Sequence, residues 1–296
     1  MGLKKINAKE QMDLAYYELY NRNYPIINVE TQEQLKRIRV GVAGCGSTGG
    51  AFIDGALRTG VQSFHLADNG EYELSNLNRQ MVSLSELGSN KADAYASKIK
   101  NVNADAFTKV WMDGLTEENM DDFLENIDFL FDAVDVTTSE GMRMKLMLHE
   151  KAAEKKIPTG SALDLGFTQW IKSYNYHLGE LALQGRLRAA QDTHNPIKAI
   201  LSGFISVEEL PLEITEEIIR LLQTPGASAC QLASACFLLS SMVTPYLIYF
   251  IKNKSLHPLV AIDVASFFEN STDQAKRKKL TQEKHQKLLE LLKKID

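Results

Sequence analysis

The chain has 296 residues, of which 44% are hydrophobic and 24% charged, with a formal net charge of −5. That is enough apolar material for one sizeable core, and the charge balance offers no general attraction for nucleic acid or anionic membrane. Cys45, Cys230 and Cys236 are too few and too irregularly spaced for a disulfide framework, and residues 1–10 lack a signal peptide's apolar centre, so a reducing cytoplasm is expected.

Residues 8–20 read as a helix leading into Tyr20-Asn21-Arg22-Asn23-Tyr24-Pro25. From residue 37 to about 158 strands and helices alternate. A strand at 38–43 runs into a turn at 44–50 and a helix at 51–58. A strand at 63–67 ends at Asp68, and a helix at about 90–102 comes next, with Ser89 placed to cap it. Then come a strand (107–112), a helix (117–126), a strand (128–134) and a helix (142–155). This alternation predicts an α/β fold, a Rossmann-like, mostly parallel sheet with helices on both faces.

After Pro158 the pattern changes. Residues 168–177 alternate as an exposed-face strand with Trp170, Lys172, Tyr174 and Tyr176 on one side. Residues 185–226, broken by Pro196, Pro211 and Pro225, suggest short helices and loops. The apolar stretch around 228–251 is interrupted by Gln231, serines, threonines and Pro245, and reads as a buried core helix rather than a membrane span. A late strand at 258–264 completes a smaller antiparallel part. Residues 273–295 form a charged helix, opened by Lys276-Arg277-Lys278-Lys279 and continued by Leu288, Leu289, Leu291, Leu292 and Ile295. It is expected to dock on the body or on a partner. The chain thus divides into a nucleotide-binding half (1–165), a substrate and dimerisation half of the same domain (166–272) with a variable insert (185–226), and a charged tail (273–296).

Gly44-Cys45-Gly46-Ser47-Thr48-Gly49 matches G-x-G-x-x-G directly after a strand and opening a helix. The first glycine permits the tight turn, the second lets backbone approach phosphate, and the third brings helix close to strand. Asp68 ends the next strand, where a carboxylate can accept hydrogen bonds from a ribose. Together they favour a nucleotide site without choosing between NAD and ATP.

The segments beyond Asp68 are unlike those of a dehydrogenase. Ser75-Asn76-Leu77-Asn78-Arg79-Gln80, then Leu87-Gly88-Ser89-Asn90-Lys91, and later Asp132-Ala133-Val134-Asp135 resemble, in order, the S-N-L-N-R-Q, G-x-x-K and D-x-x-D elements of the ThiF/MoeB/HesA superfamily of ATP-dependent adenylating enzymes. Tyr20-Asn21-Arg22 resembles its upstream Y-x-R element. The resemblance spans residues 20 to about 165 and implies adenylation of a carboxylate, with release of pyrophosphate. The acid would belong to a ubiquitin-like carrier, a peptide or a small molecule such as a modified nucleoside. The resemblance also implies a homodimer, with Arg22 serving the neighbouring subunit's site. Arg79 and Lys91 would clamp the phosphates, Asp135 would hold Mg²⁺, and Asn76 and Gln80 would position the nucleotide. Lys91 is notable on its own, since a cation in a helix's first turn opposes the macrodipole by about 0.3–1 kcal/mol. Two positions depart from the pattern: Val136 replaces the usual Asn, and Gly70 stands where a second acidic residue is common.

Many relatives hold a structural zinc with two C-x-x-C pairs. This chain has no C-x-x-C, so no structural zinc is expected. Cys45 reads as a small packing residue and Cys236 as inert core. Cys230, near a helix start whose dipole would lower its pKa, reads more readily as a buried structural thiol than as a nucleophile. His177 and His194 read as surface or hydrogen-bonded residues rather than metal ligands. Two other readings stay open: a non-catalytic partner of an adenylating subunit, and an NAD-dependent oxidoreductase supported by the glycine turn and Asp68 alone. A contact with RNA would rest on four basic residues of the tail, so nucleic acid is not an expected partner.

Overall fold

In a computed structural model, residues 8–294 are described apart from 194 and 225; His194, Pro225 and Ile295 therefore lie outside the described residues. Helix α1 (Ala8–Leu19) leads through a short 3-10 turn, Asn21–Asn23, to α2 (Val29–Arg37). Next come β1 (Arg39–Ala43), α3 (Ser47–Thr59), β2 (Ser63–Ala67), α4 (Lys91–Val102), β3 (Phe107–Trp111), α5 (Met120–Phe123), β4 (Phe129–Asp132) and α6 (Ser139–Glu154). The second half contains β5 (Thr159–Leu165), β6 (Thr168–Tyr174), α7 (Leu187–Gln191), α8 (Pro196–Gly203), α9 (Leu212–Gln223), α10 (Ala233–Asn253), β7 (Leu259–Asp263) and α11 (Ser271–Leu292).

The strands form one seven-stranded sheet in the order β3-β2-β1-β4-β5-β6-β7. The first five run parallel, whereas β6 and β7 are added antiparallel. Strand order reverses between β1 and β4, which opens a crevice outside their carboxyl ends. On one face Phe52 of α3 stacks on Phe131 of β4 with ring centroids 3.9 Å apart, and Leu239, Val243 and Leu247 of α10 fill the same core. Met142 and Leu148 of α6 pack with Phe123, Leu130 and Tyr174 on the other face. A third cluster joins Leu165 and Trp170 to Ile214 and Ile219 of α9 and Leu288 of α11.

The alternating half forms as its pattern implies, with several differences. Helix α2 is unanticipated because its sequence is polar; Asn28 caps it by accepting the Thr31 N–H at 2.9 Å. Helix α4 is capped by Asn90, not Ser89: the Asn90 side chain accepts from Ala92 and Asp93, while the Ser89 carbonyl is taken by the Tyr72 N–H. Strand β5, Thr-Gly-Ser-Ala-Leu-Asp-Leu, shows neither alternation nor an apolar run, and exists because β4 and β6 pair with it on both sides. Strand β6 has no exposed face; all seven residues are buried. Helix α10 covers one side, where Tyr246 Oη and Ser173 Oγ lie 2.8 Å apart, while the Lys172 ammonium donates to the Phe204 carbonyl at 2.9 Å on the other. Tyr176 has already left the strand for a 3-10 turn.

Helix α10 is long and apolar enough to cross a membrane by length and composition. It packs instead along α3, so closely that a Cβ at Gly55 would meet the Ser240 carbonyl oxygen at 2.6 Å. The insert contains a 12-residue amphipathic helix, α9, against which α11 docks. Arg277, inside the basic run of the tail, is the anchor: it pairs with Glu213 at 2.7 Å, Glu269 at 2.8 Å and Asp263 at 3.4 Å.

Candidate active site at the carboxyl edge of the sheet

Gly44 succeeds β1 with φ +90°, a conformation that an L side chain adopts only under strain. A Cβ there would lie 2.2 Å from the Ala133 carbonyl oxygen, and one at Gly49 would lie 1.8 Å from the Gly44 carbonyl oxygen. Both glycines are therefore required by packing alone. Gly46 is different: the nearest atom to a Cβ there is Gln80 Nε2 at an ordinary 3.8 Å. No protein atom crowds that position, which leaves the backbone open to a ligand approaching the amino end of α3.

Asp68 sits beside this turn and braces it. Its Oδ2 accepts the Cys45 N–H at 2.6 Å and its Oδ1 the Gly70 N–H at 2.7 Å. Burial raises its carboxyl pKa, opposed by those two N–H groups and by Lys91, while Asp135 adds a smaller rise. The Lys91 ammonium and Asp68 Oδ1 both crowd the space over Gly70, 3.2 and 3.0 Å from where a Cβ would stand. Asp68 thus offsets the dipole cost of placing a cation in the first turn of α4, and the acid missing at Gly70 leaves room for that lysine.

The segment after Asp68 forms a 3-10 turn, Leu74–Asn78. Asn76 is buried and accepts the Glu73 N–H at 3.1 Å, so its carbonyl is occupied in shaping the turn. Arg79 donates through Nη1 to the Ser75 carbonyl (3.1 Å) and to Asn78 Oδ1 (2.8 Å), while its Nε is buried without a partner. Gln80 is buried with Oε1 unpartnered and its amide facing Gly46. Asn78 ties this turn to the entry of α10 by donating to the Gln231 carbonyl at 3.2 Å.

The two aspartates after β4 have opposite environments. Asp135 is exposed, its Oδ1 accepting the Thr137 N–H at 2.8 Å. Asp132 is fully buried, paired with the Lys145 ammonium and bonded to His149 Nε2 at 2.9 Å and Ser161 Oγ at 2.8 Å. Burial alone would raise its carboxyl pKa, but Lys145 and His149 outweigh burial and hold it far below the carboxylate range. His149 Nδ1 lies 2.8 Å from Tyr176 Oη, extending the network to the segment after β6. Sequence reasoning misses Lys145 and His149, although their i,i+4 spacing among the apolar residues of α6 is a legible signal of a paired buried face.

Asp164 is missed as well. It lies near the end of β5, and its Oδ2 accepts the Ser47 hydroxyl at 2.7 Å, reaching across the sheet to the first residue of α3. Cys236 joins them, its Sγ donating to the Ser47 carbonyl at 3.3 Å. Its thiol is buried and pushed up to about 11 by that burial. Cys45, in the glycine turn, is fully buried and likewise shifted well upward.

Cys230 is exposed rather than buried. Its own N–H donates to Glu217 at 2.7 Å; partial desolvation of the thiol and the Glu217 carboxylate raise its pKa and outweigh the lowering effect of Arg220. His177 bonds the Lys254 carbonyl at 2.9 Å, and no group of three His, Cys, Asp or Glu side chains gathers to hold a metal among the described residues.

Arg22 is the one predicted site residue that the fold does not bring to this edge. Tyr20 donates to the Leu57 carbonyl at 2.8 Å and Asn23 to the Thr59 carbonyl at 3.2 Å, so the Tyr20–Asn23 segment packs at the far end of α3. Thirteen helical residues separate the two ends, about 18 Å at 1.5 Å per residue.

Residues 20–287 match the ThiF family. The chain is 28% identical over 146 residues to the tRNA threonylcarbamoyladenosine dehydratase of Bacillus subtilis, covering 49% of this chain and 56% of that one. It is 27% identical over 130 residues to the sulfur carrier protein ThiS adenylyltransferase of the same species, covering 43% and 37%. The chain therefore spans about half or less of the length of these curated relatives. Among solved structures, Escherichia coli TcdA in complex with ATP superposes with a TM-score of 0.58 at 17% identity, covering 85% of this chain and 98% of that one. Escherichia coli MccB with AMPCPP and MccA gives 0.58 at 15% identity, covering 88% and 77%. At these identities the likeness is one of fold.

Proposed function

The chain belongs to the ThiF family, and from that premise we propose that it adenylates a carboxylate. An oxygen of the acid attacks the α-phosphorus of ATP, the bond to pyrophosphate breaks, and an acyl-adenylate forms for transfer to a nucleophile. The observation that carries this reading is the open glycine, Gly46, at the amino end of α3, with Arg79 and Lys91 on the elements flanking it. Two cations beside a helix amino terminus suit a triphosphate and the charge that develops on its α-phosphorus and on leaving pyrophosphate. A dinucleotide would have less use for them, which ranks the oxidoreductase reading behind.

Each residue has a role that its position suits. Backbone N–H groups of the turn and the first residues of α3 receive phosphate. Asp68, already holding the turn through Cys45 and Gly70, retains acceptor capacity for a ribose hydroxyl. Gln80 turns its amide nitrogen toward the open glycine and keeps an unpartnered Oε1, and Asn76 holds the turn that carries Arg79. Asp135 is exposed hard oxygen at the end of the strand, which suits Mg²⁺; the ion would take its remaining ligands from phosphates and water, and would neutralise charge on the nucleotide. Isosteric Asp135→Asn is expected to cut adenylation at least about 100-fold with an unchanged melting temperature. Undiminished activity in the folded variant would remove Asp135 from the metal assignment.

We read the active species as a cytoplasmic homodimer. Arg22 is exposed and too far from its own glycine turn, as a residue serving a neighbour's site would be. Mixing Arg22→Ala with Asp135→Asn should then restore part of the activity lost by each, because mixed dimers hold one intact site; a strictly monomeric active species contradicts this. Transfer is proposed to bypass cysteine on this chain. Cys230 is the exposed thiol, and Glu217 disfavours its thiolate. Cys230→Ala should leave adenylation and transfer within about twofold; loss of transfer with adenylation intact would make Cys230 the acyl acceptor.

Carboxylate-dependent ATP–pyrophosphate exchange tests the proposal. The panel comprises a ubiquitin-like carrier ending in Gly-Gly, short peptides and a carboxylate-bearing modified nucleoside. Exchange with one class identifies the substrate. Absence of exchange with all of them, together with NAD binding, would favour the oxidoreductase; absence of both would favour a non-catalytic partner subunit.

A further inference from the structure

Asp164 stands where a phosphate-binding reading does not call for it. Its Oδ2 accepts the hydroxyl proton of Ser47, the first residue of α3, at 2.7 Å. Its Oδ1 is buried with no partner, as is Arg79 Nε nearby. The charged or titratable groups facing it are Arg79 from the turn after β2 and Cys236 from α10. Ser47 of α3 and Gln169 of β6, the register partner of Asp164, supply neutral polar groups. An ionised carboxylate and a triphosphate drawn to the same helix end repel one another. A neutral carboxylic acid does the opposite, because it has an O–H to donate.

We propose that Asp164 is a further nucleotide-binding residue, one that takes a proton from solvent as ATP arrives and donates it in a hydrogen bond to a phosphate oxygen. The proposal rests on the reading of the glycine turn as an ATP site. Burial holds the free carboxyl up at about 6, against the lowering effects of Ser47 and Arg79. Near neutral pH the empty site is therefore mostly ionised but close to its titration. Arrival of phosphate adds negative charge and draws Arg79 away, and both changes favour the protonated acid. Binding that takes up one proton therefore weakens by about tenfold for each pH unit above the free carboxyl's titration.

Asp164→Asn supplies the same shape with a permanent donor and no charge. Titration calorimetry of ATP with magnesium at pH 6 and pH 8, each in two buffers of different ionisation enthalpy, reads both affinity and proton uptake. Titration of the nucleotide itself is common to both proteins and cancels in their difference. The wild type should take up close to one proton more than Asp164→Asn at pH 7 to 8. The variant should bind ATP about 10- to 100-fold more tightly than the wild type at pH 8 and match it at pH 6. A role confined to packing would weaken binding at both values. If Asp164→Asn fails to fold, Asp164→Ser is used, with the same loss of proton uptake expected. Equal proton uptake and equal pH dependence in the two proteins would overturn the proposal alone. Failure of wild-type protein to bind ATP at any pH would overturn it together with the ATP-site reading.

Discussion

Replacing Arg79 by alanine is expected to lower carboxylate-dependent exchange by about 10²–10³-fold, the scale of losing one preorganised donor at a developing charge. Burial lowers the pKa of this guanidinium, opposed chiefly by the Asp164 carboxylate and more weakly by Asp135. Only two of its possible bonds are made, to Ser75 and Asn78, while Nε is buried and idle. A side chain whose solvation is given up without full internal replacement is suited to a ligand that completes its bonds. Arg79→Lys should recover only a small part of the rate, since the charge returns without the planar fork. Exchange rates measured beside a calorimetric melt check this. A loss confined to the affinity for ATP, with turnover unchanged at saturation, would mean that Arg79 binds the ground state and transition state equally.

Asp132→Asn is expected to destabilise the fold by about 3–5 kcal/mol, because it leaves the buried Lys145 ammonium without its counter-charge. For a chain of this size that corresponds to roughly 5–8 °C in melting temperature. Removing the charge of both partners, as in Asp132→Asn with Lys145→Met, should cost less than Asp132→Asn alone; a double variant at least as unstable as the sum of the two singles would contradict the buried-pair account. The pH dependence has a definite sign. Asp132 titrates far below its unfolded value, so the stability it contributes is present above about pH 4 and is lost as pH falls through its folded pKa. His149 is held below its ordinary range by burial, although Asp132 opposes that shift. Its contribution is complete above about pH 6.5 and declines as pH falls below that value. His65, likewise held low by burial, shares this phase, and Asp164, held up at about 6, opposes it. His149→Gln should therefore shrink the loss of stability between about pH 6.5 and pH 5 relative to the wild type, while leaving the later carboxylate phase.

Much of this architecture is legible in the sequence. The run 39–67 announces strand, glycine turn, helix and strand because each step uses a local device: apolar β-formers, a glycine at positive φ, and a terminal aspartate. The residues Arg79, Lys91 and Asp135 are recoverable because they fall in ordered motifs. Strand β5 and the burial of β6 are not, since pairing and covering elements far along the chain decide both. The setting of Cys230 is hidden for the same reason: Glu217, thirteen residues earlier on α9, determines it. Asp164 and Ser47 are 117 positions apart, and no local pattern relates them. The first aspartate of Asp132-Ala133-Val134-Asp135 looks equivalent to the second until the fold buries one and exposes the other.

Attack of a carboxylate oxygen on the α-phosphorus of ATP leaves an isotopic record. The acid selected by the exchange panel is prepared with oxygen-18 in its carboxyl group and turned over with ATP to the final acylated product. Attack by the acid and subsequent acyl transfer should leave one labelled oxygen on the phosphate of the released AMP, with pyrophosphate unlabelled. Unlabelled AMP, or ADP with labelled inorganic phosphate, would contradict adenylation of the carboxylate.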